Sequence, residues 1–253
     1  MSFIVVIPAR LASSRLPNKP LMDINGQPMV YWTWCQAQKS GAHRVIIATE
    51  SQQVADVCHE FGAEVCLTKD SHQSGTERIA EVLELSLVDD AEIVVNVQGD
   101  EPMLPYELIH QVAQGLEDNP DIPMATLCEP IDSLEDLHNP NIVKVSRDQR
   151  LCAINFSRAC LPWARDEFAQ TPMQMPLHFP FRRHIGLYAY RAGFVRQYVQ
   201  WPETQLEQLE KLEQLRVLWH GEKILTLDAE LDAGVGVDTL SDLERVRVLM
   251  SDK

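Results

Sequence analysis

The sequence has no glycine before Gly26 and no C-x-x-C pair among its six cysteines. The phosphate-binding loops of dinucleotide folds and of Walker ATPases both need glycines directly after a strand, so both are excluded at the start of this chain. Because no cysteine has a partner at metal-binding or redox-motif spacing, we expect free thiols, mostly buried, in a reducing cytosol.

Long apolar runs and positive charge are also scarce. The apolar run at residues 3–7 ends at Pro8, which is too short for a signal peptide, and no run approaches the roughly 18 residues of a membrane span. Lys and Arg number 22 against 37 Asp and Glu, which gives a formal net charge of −15. A nucleic-acid backbone is a poor partner for such a chain. We therefore predict a cytoplasmic protein with neither nucleic-acid nor membrane partners.

The first loop of the chain is a local exception to this acidity. Residues 3–7, FIVVI, are typical of a strand buried on both faces of a parallel sheet. The loop at residues 8–20 then carries Arg10, Arg15 and Lys19, the hydroxyl of Ser13, and no acid. Open α/β sheets bind ligands at the carboxyl ends of their strands, and cations and hydroxyls there suit a polyphosphate. The alternative is an ordinary solvated basic loop.

The rest of the first half alternates strands and helices. Strands are predicted at 44–49, 64–68 and 92–97, and helices at 27–40, 51–61 and 77–87. This alternation indicates an α/β protein with a mostly parallel central sheet and helices on both faces.

The second half is less regular. It is predicted to contain strands at 124–129, 143–146, 150–156, 183–191 and 223–227, and helices at 105–118, 193–201, 205–220 and 241–250. A proline-rich loop at 161–180 is long for a compact domain, and such loops are usually functional or mobile. We interpret residues 1–253 as a single domain with a small α+β subdomain inserted near 130–200.

Two aspartates follow apolar segments. Asp100 lies in VQGDEP after the strand at 92–97, and Asp238 lies in VGVDT. Carboxylates at strand ends can converge over a sheet edge, and such hard oxygen ligands suit Mg²⁺, which binds protein carboxylate and phosphate together. A helix cap or a turn residue is the alternative for each.

Three further segments hold candidate binding residues. Ser74, Gly75, Thr76 and Arg78 begin a helix, where hydroxyls cap and free N–H groups can bind a ligand. In RHIGLYAYR, period two places His184 and Tyr188 on one polar-aromatic face, either as a sugar-binding surface or as a buried structural pair. Another pair of cations, Arg158 and Arg165, flanks a bend. Their positions in the sequence alone indicate ordinary surface residues.

Glu213 lies within the apolar arc of the helix predicted at 205–220. An unpaired carboxylate there would be costly, so it needs a partner. Arg216, three residues on, is the structural candidate.

The first loop resembles the signature loop of the sugar-acid cytidylyltransferases. The resemblance rests on Pro8-Ala9-Arg10, Ser13-Ser14-Arg15-Leu16-Pro17 and Lys19-Pro20, and it continues through the segments above to Val248. Over the whole chain it is strongest to the members that activate 3-deoxy-manno-octulosonate (Kdo). Asn18 stands where the family usually has glycine, and asparagine tolerates a left-handed backbone better than most residues.

The resemblance implies a nucleotide-diphospho-sugar-transferase-like fold and the reaction of CTP with Kdo to give CMP-Kdo and pyrophosphate, for lipopolysaccharide synthesis. It implies a cytosolic homodimer, with the inserted subdomain serving dimerisation and sugar binding. The alternatives are CMP transfer to another sugar acid, such as a sialic acid, and a catalytically idle nucleotide-binding protein on the same fold. No general base is evident.

The resemblance also assigns roles to residues. Arg10, Lys19, Asp100 and Asp238 would be catalytic, with the two aspartates holding Mg²⁺. The nucleotide would be bound by Pro8, Ala9, Arg10, Ser13, Arg15, Lys19, Ser74, Gly75, Thr76, Arg78 and Gln98. The sugar would be bound by Gln98, Arg158, Arg165, His184, Tyr188 and Glu213.

Overall fold

A mixed β-sheet runs through the middle of the computed structural model, which describes residues 1–11, 16–72, 74–176, 179 and 181–251. The strands are β1 (Phe3–Pro8), β2 (Asp23–Ile24), β3 (Gln27–Pro28), β4 (Arg44–Thr49), β5 (Glu64–Leu67), β6 (Ile93–Asn96), β7 (Met124–Ile131), β8 (Lys144–Arg147), β9 (Ala153–Ser157), β10 (Phe181–Arg191) and β11 (Ile224–Asp228). Within the described residues, all of these except the β2–β3 hairpin belong to one sheet.

Helices cover this sheet. They are α1 (Met29–Lys39), α2 (Gln52–Glu60), α3 (Gly75–Leu85), α4 (Tyr106–Glu117), α5 (Leu134–His138), α6 (Arg165–Phe168), α7 (Ala192–Tyr198), α8 (Gln205–Glu210), α9 (Gln214–Trp219) and α10 (Leu240–Ser251). Across the described part of the chain, no helix combines the length and the apolar character that a membrane crossing requires.

The order of strands along the sheet is β11-β7-β10-β6-β1-β4-β5. The neighbours β6, β1, β4 and β5 are parallel, as the alternating first half predicts. At the other side β11 runs parallel to β7, and β10 runs antiparallel to both β6 and β7. The predicted α/β class with a mostly parallel sheet is therefore confirmed.

Apolar side chains alternate between the two faces of β1. Val5 and Ile7 pack into a core with α1, α2 and α4, whereas Ile4 and Val6 pack on the opposite face with α3 and α7. Each is at most 2 % exposed, and burying one such side chain contributes roughly 1.5–3 kcal/mol. The continuous apolar run FIVVI is thus explained by a strand that is covered on both faces.

The predicted subdomain near 130–200 is divided between the main sheet and its edge. Strand β10 lies in the middle of the main sheet, while β8 and β9 form an antiparallel ribbon that contacts β10 through Arg183 and Lys144. The role of the segment near 130–200 in dimerisation and sugar binding stays a prediction.

The helix predicted at 205–220 is wrong, because two short helices, α8 and α9, occupy this segment. They are separated by Lys211, whose backbone is left-handed with φ 53°. Leucines three residues apart drift around a helix, so one straight helix could not bury them all. The break leaves Leu209 83 % exposed while Leu212 and Leu215 are buried.

Candidate functional site

Strands β1 and β6 end side by side at the carboxyl edge of the sheet. Val97 donates its N–H to the carbonyl of Val6 at 3.1 Å, which keeps the two exits adjacent. A Cβ on Gly99 would lie 2.9 Å from the carbonyl oxygen of Pro8, so only glycine allows the two loops this approach. This packing brings residues 8–11 and 97–101 to one place.

The loop that carries Asp238 is fastened beside Asp100. Val237 donates its N–H to the carbonyl of Asp100 at 2.9 Å. Asp242, in the first turn of α10, accepts from the backbone N–H groups of Asp238 and Thr239 at 3.1 and 2.8 Å. The segment before Asp238 is not a strand, which corrects the idea of two strand ends. The expected convergence of the two carboxylates is nevertheless present.

Lys19 joins these two carboxylates. Its Nζ donates to Oδ2 of Asp100 and, at 2.9 Å, to Oδ1 of Asp238. The lysine begins a 3₁₀ turn after Asn18, whose left-handed backbone (φ 57°, ψ 29°) is the conformation that the usual glycine would supply. The basic loop and the two aspartates, which are 81 and 219 residues from Lys19 in sequence, therefore form a single site.

The donor set of this site fits a magnesium ion that keeps several waters. Among the described residues no group of three or more His, Cys, Asp or Glu is arranged to hold a metal. Mg²⁺ at phosphate-transfer sites is usually held by one or two carboxylates together with waters and substrate phosphates, so Asp100 and Asp238 would be sufficient protein ligands. The position of the Lys19 ammonium shows that a positive charge is accommodated between Asp100 and Asp238.

Glu101 belongs to the same site, although the sequence analysis did not identify it. Burial, followed by the negative charges of Asp100 and Asp238, raises its pKa to about 7. Its position beside Asp100 in QGDEP was visible in the sequence, but its burial was not. Three carboxyls thus crowd one edge of the sheet, where Lys19 and Arg183 offset part of their repulsion.

The start of α3 lies against the same edge. Ser74 caps the helix by accepting from the N–H of Glu77 at 3.2 Å. Gly75 lies against Pro8 and Gln98, since a Cβ there would be 3.7 Å from Pro8 Cγ and 3.9 Å from Gln98 Nε2. These predicted nucleotide-binding residues therefore come together in space.

Arg78 is placed differently from its neighbours in this segment. It is 2 % exposed, pairs with Glu50 (Nη2 to Oε2, 3.0 Å) and donates to the hydroxyl of Thr68. Burial lowers its pKa, while the charge of Glu50 opposes that effect. Its side chain holds α3 against β4 and β5, which is a structural contribution.

A cavity of about 240 Å³ opens between α3, β6, β10 and α9. It is lined by Gly75, Thr76, Asn96, Gln98, Met124, Tyr188, Tyr190, Tyr198, Lys211, Leu212, Glu213, Gln214 and Val217. Five of the predicted binding residues meet here: Gly75, Thr76, Gln98, Tyr188 and Glu213. The cavity adjoins the two aspartates, because Gln98, which lines it, is two residues from Asp100 in sequence.

Glu213 directs its carboxylate at this cavity. Oε2 accepts a hydrogen bond from the hydroxyl of Thr76 at 3.0 Å, across 137 residues of sequence. The residue is exposed overall, yet the protein around the carboxyl group excludes enough water to raise its pKa, and the Thr76 bond opposes that shift. A carboxylate held here can accept from a ligand hydroxyl.

Arg216 is not the partner of Glu213. Its guanidinium pairs with Glu207, with Nε to Oε2 at 2.8 Å and Nη2 to Oε1 at 2.5 Å, and both side chains are buried. The break at Lys211 turns the two helices so that Glu207, on α8, faces Arg216, on α9. The structural alternative for Glu213 is therefore wrong.

His184 and Tyr188 lie on one face of β10, as period two predicts. The His184 ring contacts those of Phe156 and Tyr188, with centroids 5.1 and 5.2 Å apart, and its Nε2 is 3.1 Å from the hydroxyl of Thr126. Burial lowers the pKa of His184 to about 3, so the imidazole is neutral at physiological pH. Tyr188 lines the cavity, and His184 supports it from behind.

This burial gives His184 a measurable effect on stability. Because protonation is disfavoured only in the folded state, stability falls as pH drops below about 6.5, and the loss reaches about 2 kcal/mol at pH 5. His184→Gln keeps a donor toward Thr126 and is expected to remove this loss of stability at low pH. Urea unfolding at pH 8 and pH 5, with His59→Gln on the exposed face of α2 as control, measures it. If wild type and His184→Gln lose the same unfolding free energy between pH 8 and pH 5, the expectation is contradicted.

The remaining predicted residues lie apart from the cavity lining or outside the description. Arg158 donates to the backbone carbonyls of Glu210 (2.7 Å) and Pro140 (3.0 Å), and Arg165 has a side chain that is 93 % exposed. Arg10 is exposed beside Ala9 at the end of β1. The predictions for Ser13 and Arg15 fall outside the described residues.

The sequence analysis missed eight residues that line the cavity: Asn96, Met124, Tyr190, Tyr198, Lys211, Leu212, Gln214 and Val217. An asparagine inside the apolar strand EIVVNV was a usable signal, as was Tyr190, which shares a face with Tyr188. No local pattern pointed to Tyr198 or Gln214, because their approach depends on how α7 and α9 pack.

Comparison with known proteins agrees with this geometry. The sequence profile of the cytidylyltransferase family matches residues 4–224. A 3-deoxy-manno-octulosonate cytidylyltransferase 1 of Hydrogenovibrio crunogenus is 64 % identical over 252 residues, which cover 100 % of this chain and 97 % of that protein. A 3-deoxy-manno-octulosonate cytidylyltransferase of Pseudomonas fluorescens is 55 % identical over 250 residues, 98 % of each chain.

Solved structures give the same result. The structure of a CMP:2-keto-3-deoxy-manno-octonic acid synthetase complexed with CTP superimposes with a TM-score of 0.89 at 39 % identity, covering 99 % of this chain and 98 % of the other. A 4-diphosphocytidyl-2C-methyl-D-erythritol synthase of Anaerococcus prevotii, at 11 % identity and a TM-score of 0.62 over 99 % of both chains, shares the fold.

Proposed function

Because the chain belongs to the cytidylyltransferase family, we propose that it transfers CMP from CTP to Kdo, giving CMP-Kdo and pyrophosphate for lipopolysaccharide synthesis. The observation that carries this proposal is the juxtaposition of two features at one sheet edge. A charged centre of Lys19, Asp100 and Asp238 suits a triphosphate with its cation, and an adjoining cavity of hydroxyls, amides and Glu213 suits a polyhydroxylated sugar acid.

In this reaction the anomeric hydroxyl of Kdo attacks the α-phosphorus of CTP. The new bond joins the sugar oxygen to phosphorus, the α–β phosphoanhydride bond breaks, and the hydroxyl proton is released. Such a transfer depends mainly on positioning and on charge stabilisation. Arg10 and Lys19 bind the triphosphate, Ser74 and Gly75 receive the nucleotide at the start of α3, and Gln98, Tyr188 and Glu213 hold the sugar.

The proposal includes Mg²⁺ as cofactor, held by Asp100 and Asp238. When bound, the ion would neutralise phosphate charge and lower the pKa of the attacking hydroxyl. Support comes from the two convergent carboxylates and from the positive charge that they already accept from Lys19. Arg10, exposed at the end of β1, would supply a further positive charge near the phosphates.

A cytoplasmic homodimer completes the proposal. All six cysteines are free thiols, which suits a reducing compartment. Ile154 (63 % exposed), Trp163 (60 %) and Phe179 (48 %) place large apolar side chains on the surface of the predicted dimerisation segment. Sedimentation equilibrium tests the dimer, and a monomer at micromolar concentration would contradict it.

Pyrophosphate release measured with a panel of sugar acids tests the function. With CTP and Mg²⁺, the highest kcat/KM is expected for Kdo, a much lower one for a sialic acid, and almost no release without metal. A preference for a sialic acid would reassign the substrate. CTP binding without turnover on any sugar acid would support an idle nucleotide-binding protein instead.

Glu213→Gln separates a sugar-binding role from a structural one. The amide can still accept from Thr76, but it accepts more weakly from a sugar hydroxyl than a carboxylate does. We expect the KM for Kdo to rise about 10-fold with the KM for CTP and the thermal midpoint nearly unchanged.

Glu207→Gln is the matched control for this substitution. It should lose stability by about 2 kcal/mol, because it weakens a buried ion pair with Arg216. If Glu213→Gln instead loses stability and keeps its Kdo kinetics, Glu213 has no part in sugar binding.

A further inference from the structure

A largely buried carboxylate, that of Glu50, binds the backbone of the basic loop. Glu50 directly follows β4, which runs parallel to β1, so it lies at the same carboxyl edge of the sheet. Its side chain is 13 % exposed. Oε1 accepts a hydrogen bond from the backbone N–H of Leu11 at 2.9 Å, across 39 residues of sequence. The carboxylate therefore holds the chain at the residue that follows Arg10.

The same carboxylate binds the first turn of α3. Its Oε2 lies 3.0 Å from Nη2 of Arg78, whose side chain is 3 % exposed. Arg78 also donates to the hydroxyl of Thr68, which follows β5. Residues 8–11 and the start of α3 are the two segments proposed to receive the nucleotide. They are thus joined to each other through a single carboxylate.

A negative charge at this position is unfavourable for the ligand. A triphosphate is strongly anionic, and an anion close to its binding site repels it. Burial lowers the pKa of Arg78, the charge of Glu50 raises it, and the charge of Arg10 lowers it again. Two guanidinium groups therefore repel each other between the loop and α3, and Glu50 offsets that repulsion. The contribution of Glu50 to CTP binding must come from position, because its own charge acts against the ligand.

The two contacts of Glu50 require a carboxylate. A carboxylate accepts through both oxygens, whereas an amide has one accepting oxygen and a nitrogen that only donates. In Glu50→Gln, an oxygen directed at Leu11 places the NH₂ group against Arg78. The reverse orientation places the NH₂ group against the N–H of Leu11. One of the two links is lost in either case.

We propose that Glu50 is a positioning residue for nucleotide binding, which fixes the backbone at Leu11 relative to α3 and thereby holds Arg10 where the triphosphate of CTP binds. This inference rests on the proposed function and deepens it, since Glu50 acts through Leu11 and not on CTP itself. Arg78 neutralises the carboxylate, so that the phosphates meet less repulsion.

Glu50→Gln tests this role through the kinetics of CTP. We expect the KM for CTP to rise roughly 10-fold and the KM for Kdo to stay within about twofold of wild type, because a hydrogen bond to a charged group is lost from the loop and not from the sugar cavity. The thermal midpoint should fall by roughly 5 °C, since the buried Arg78 loses its partner. An unchanged or lower KM for CTP would overturn the proposal, because loss of the negative charge alone favours CTP.

Glu207→Gln is the matched control, since it weakens another buried pair of a glutamate with an arginine. Its thermal midpoint should fall by a similar amount, while its KM for CTP stays at the wild-type value. An equal rise in the KM for CTP in Glu207→Gln would overturn the proposal, because that is the result expected from lost stability alone.

The double variant Glu50→Gln/Arg78→Met keeps the test decisive if Glu50→Gln folds poorly. Without the Arg78 guanidinium, the amide oxygen can accept from Leu11 while its NH₂ group meets no opposing donor. We expect the thermal midpoint to recover and the KM for CTP to return to within about threefold of wild type. A further rise in this KM would overturn the proposal, because that is the result expected if the two charges act on CTP independently.

Amide hydrogen exchange of the ligand-free proteins measures the link itself. The Leu11 N–H should exchange roughly 10-fold faster in Glu50→Gln than in wild type, and at the wild-type rate in Glu207→Gln. If the wild type releases no pyrophosphate from CTP with Kdo, the proposed reaction is wrong, but this measurement uses no substrate and still decides the role of Glu50. Unchanged exchange at Leu11 in Glu50→Gln would overturn that role.

Discussion

Asp100→Asn and Asp238→Asn are each expected to lower kcat roughly 1000-fold at ordinary Mg²⁺ concentrations, the scale of losing one organised group that stabilises transition-state charge. Each substitution halves the negative charge that the pair presents to a cation, while the amide oxygen keeps the same shape. The fold should survive, because Asp238 is exposed, Asp100 is half-buried and both backbones are held by other bonds.

The control for these substitutions is Asp118→Asn, at the exposed C-terminal end of α4. Steady-state kinetics across a Mg²⁺ titration compare the three variants, with circular dichroism to check folding. A turnover like that of wild type in Asp100→Asn or Asp238→Asn would remove that residue from the metal site.

Lys19→Ala and Arg10→Ala should each lower kcat/KM for CTP roughly 100- to 1000-fold, the scale of removing one positioned charge donor. The larger loss is expected for Lys19→Ala, because the Lys19 ammonium links the basic loop to both carboxylates. Removing it takes away a proposed phosphate ligand and also leaves Asp100 and Asp238 to repel each other.

Arg44→Ala is the matched control for the loss of a cation. Arg44 pairs with Glu64 at the amino end of β4, away from the carboxyl edge where the site lies, and an exposed pair of this kind contributes at most about 1 kcal/mol. Its CTP kinetics should match those of wild type. If the Lys19 and Arg10 variants behave like Arg44→Ala, the triphosphate is bound elsewhere.

Local chemistry made part of the fold predictable. The run FIVVI ended by Pro8 indicated a strand covered on both faces, and β1 has that environment. Asn18 in place of the family's glycine indicated a left-handed residue before Lys19, and its φ is 57°. Each of these inferences depends on steric limits or burial patterns that act within a few residues.

The wrong predictions near α8 and α9 come from one unpredicted break in the helix, and the other contacts that were missed depend on how segments pack. Arg216 was expected to pair with Glu213 across one helical turn, but the break at Lys211 gave it Glu207 instead. The guanidinium of Arg158 donates to backbone carbonyls at Glu210 and Pro140, contacts that the sequence did not indicate, and its predicted role at the sugar stays a prediction. The side chains of Lys19 and Gln214 likewise take positions that depend on the packing of several loops and helices, which no sequence spacing records.

Direct identification of the product tests the central claim, that this site joins the CMP group of CTP to the anomeric oxygen of Kdo. The wild-type protein is incubated with CTP, Kdo and Mg²⁺ and followed by ³¹P nuclear magnetic resonance, with Asp100→Asn as the control. We expect a phosphodiester resonance of CMP-Kdo to grow in step with pyrophosphate, and neither to grow in the control. Pyrophosphate accompanied by free CMP, or no change in the CTP resonances, would contradict the claim.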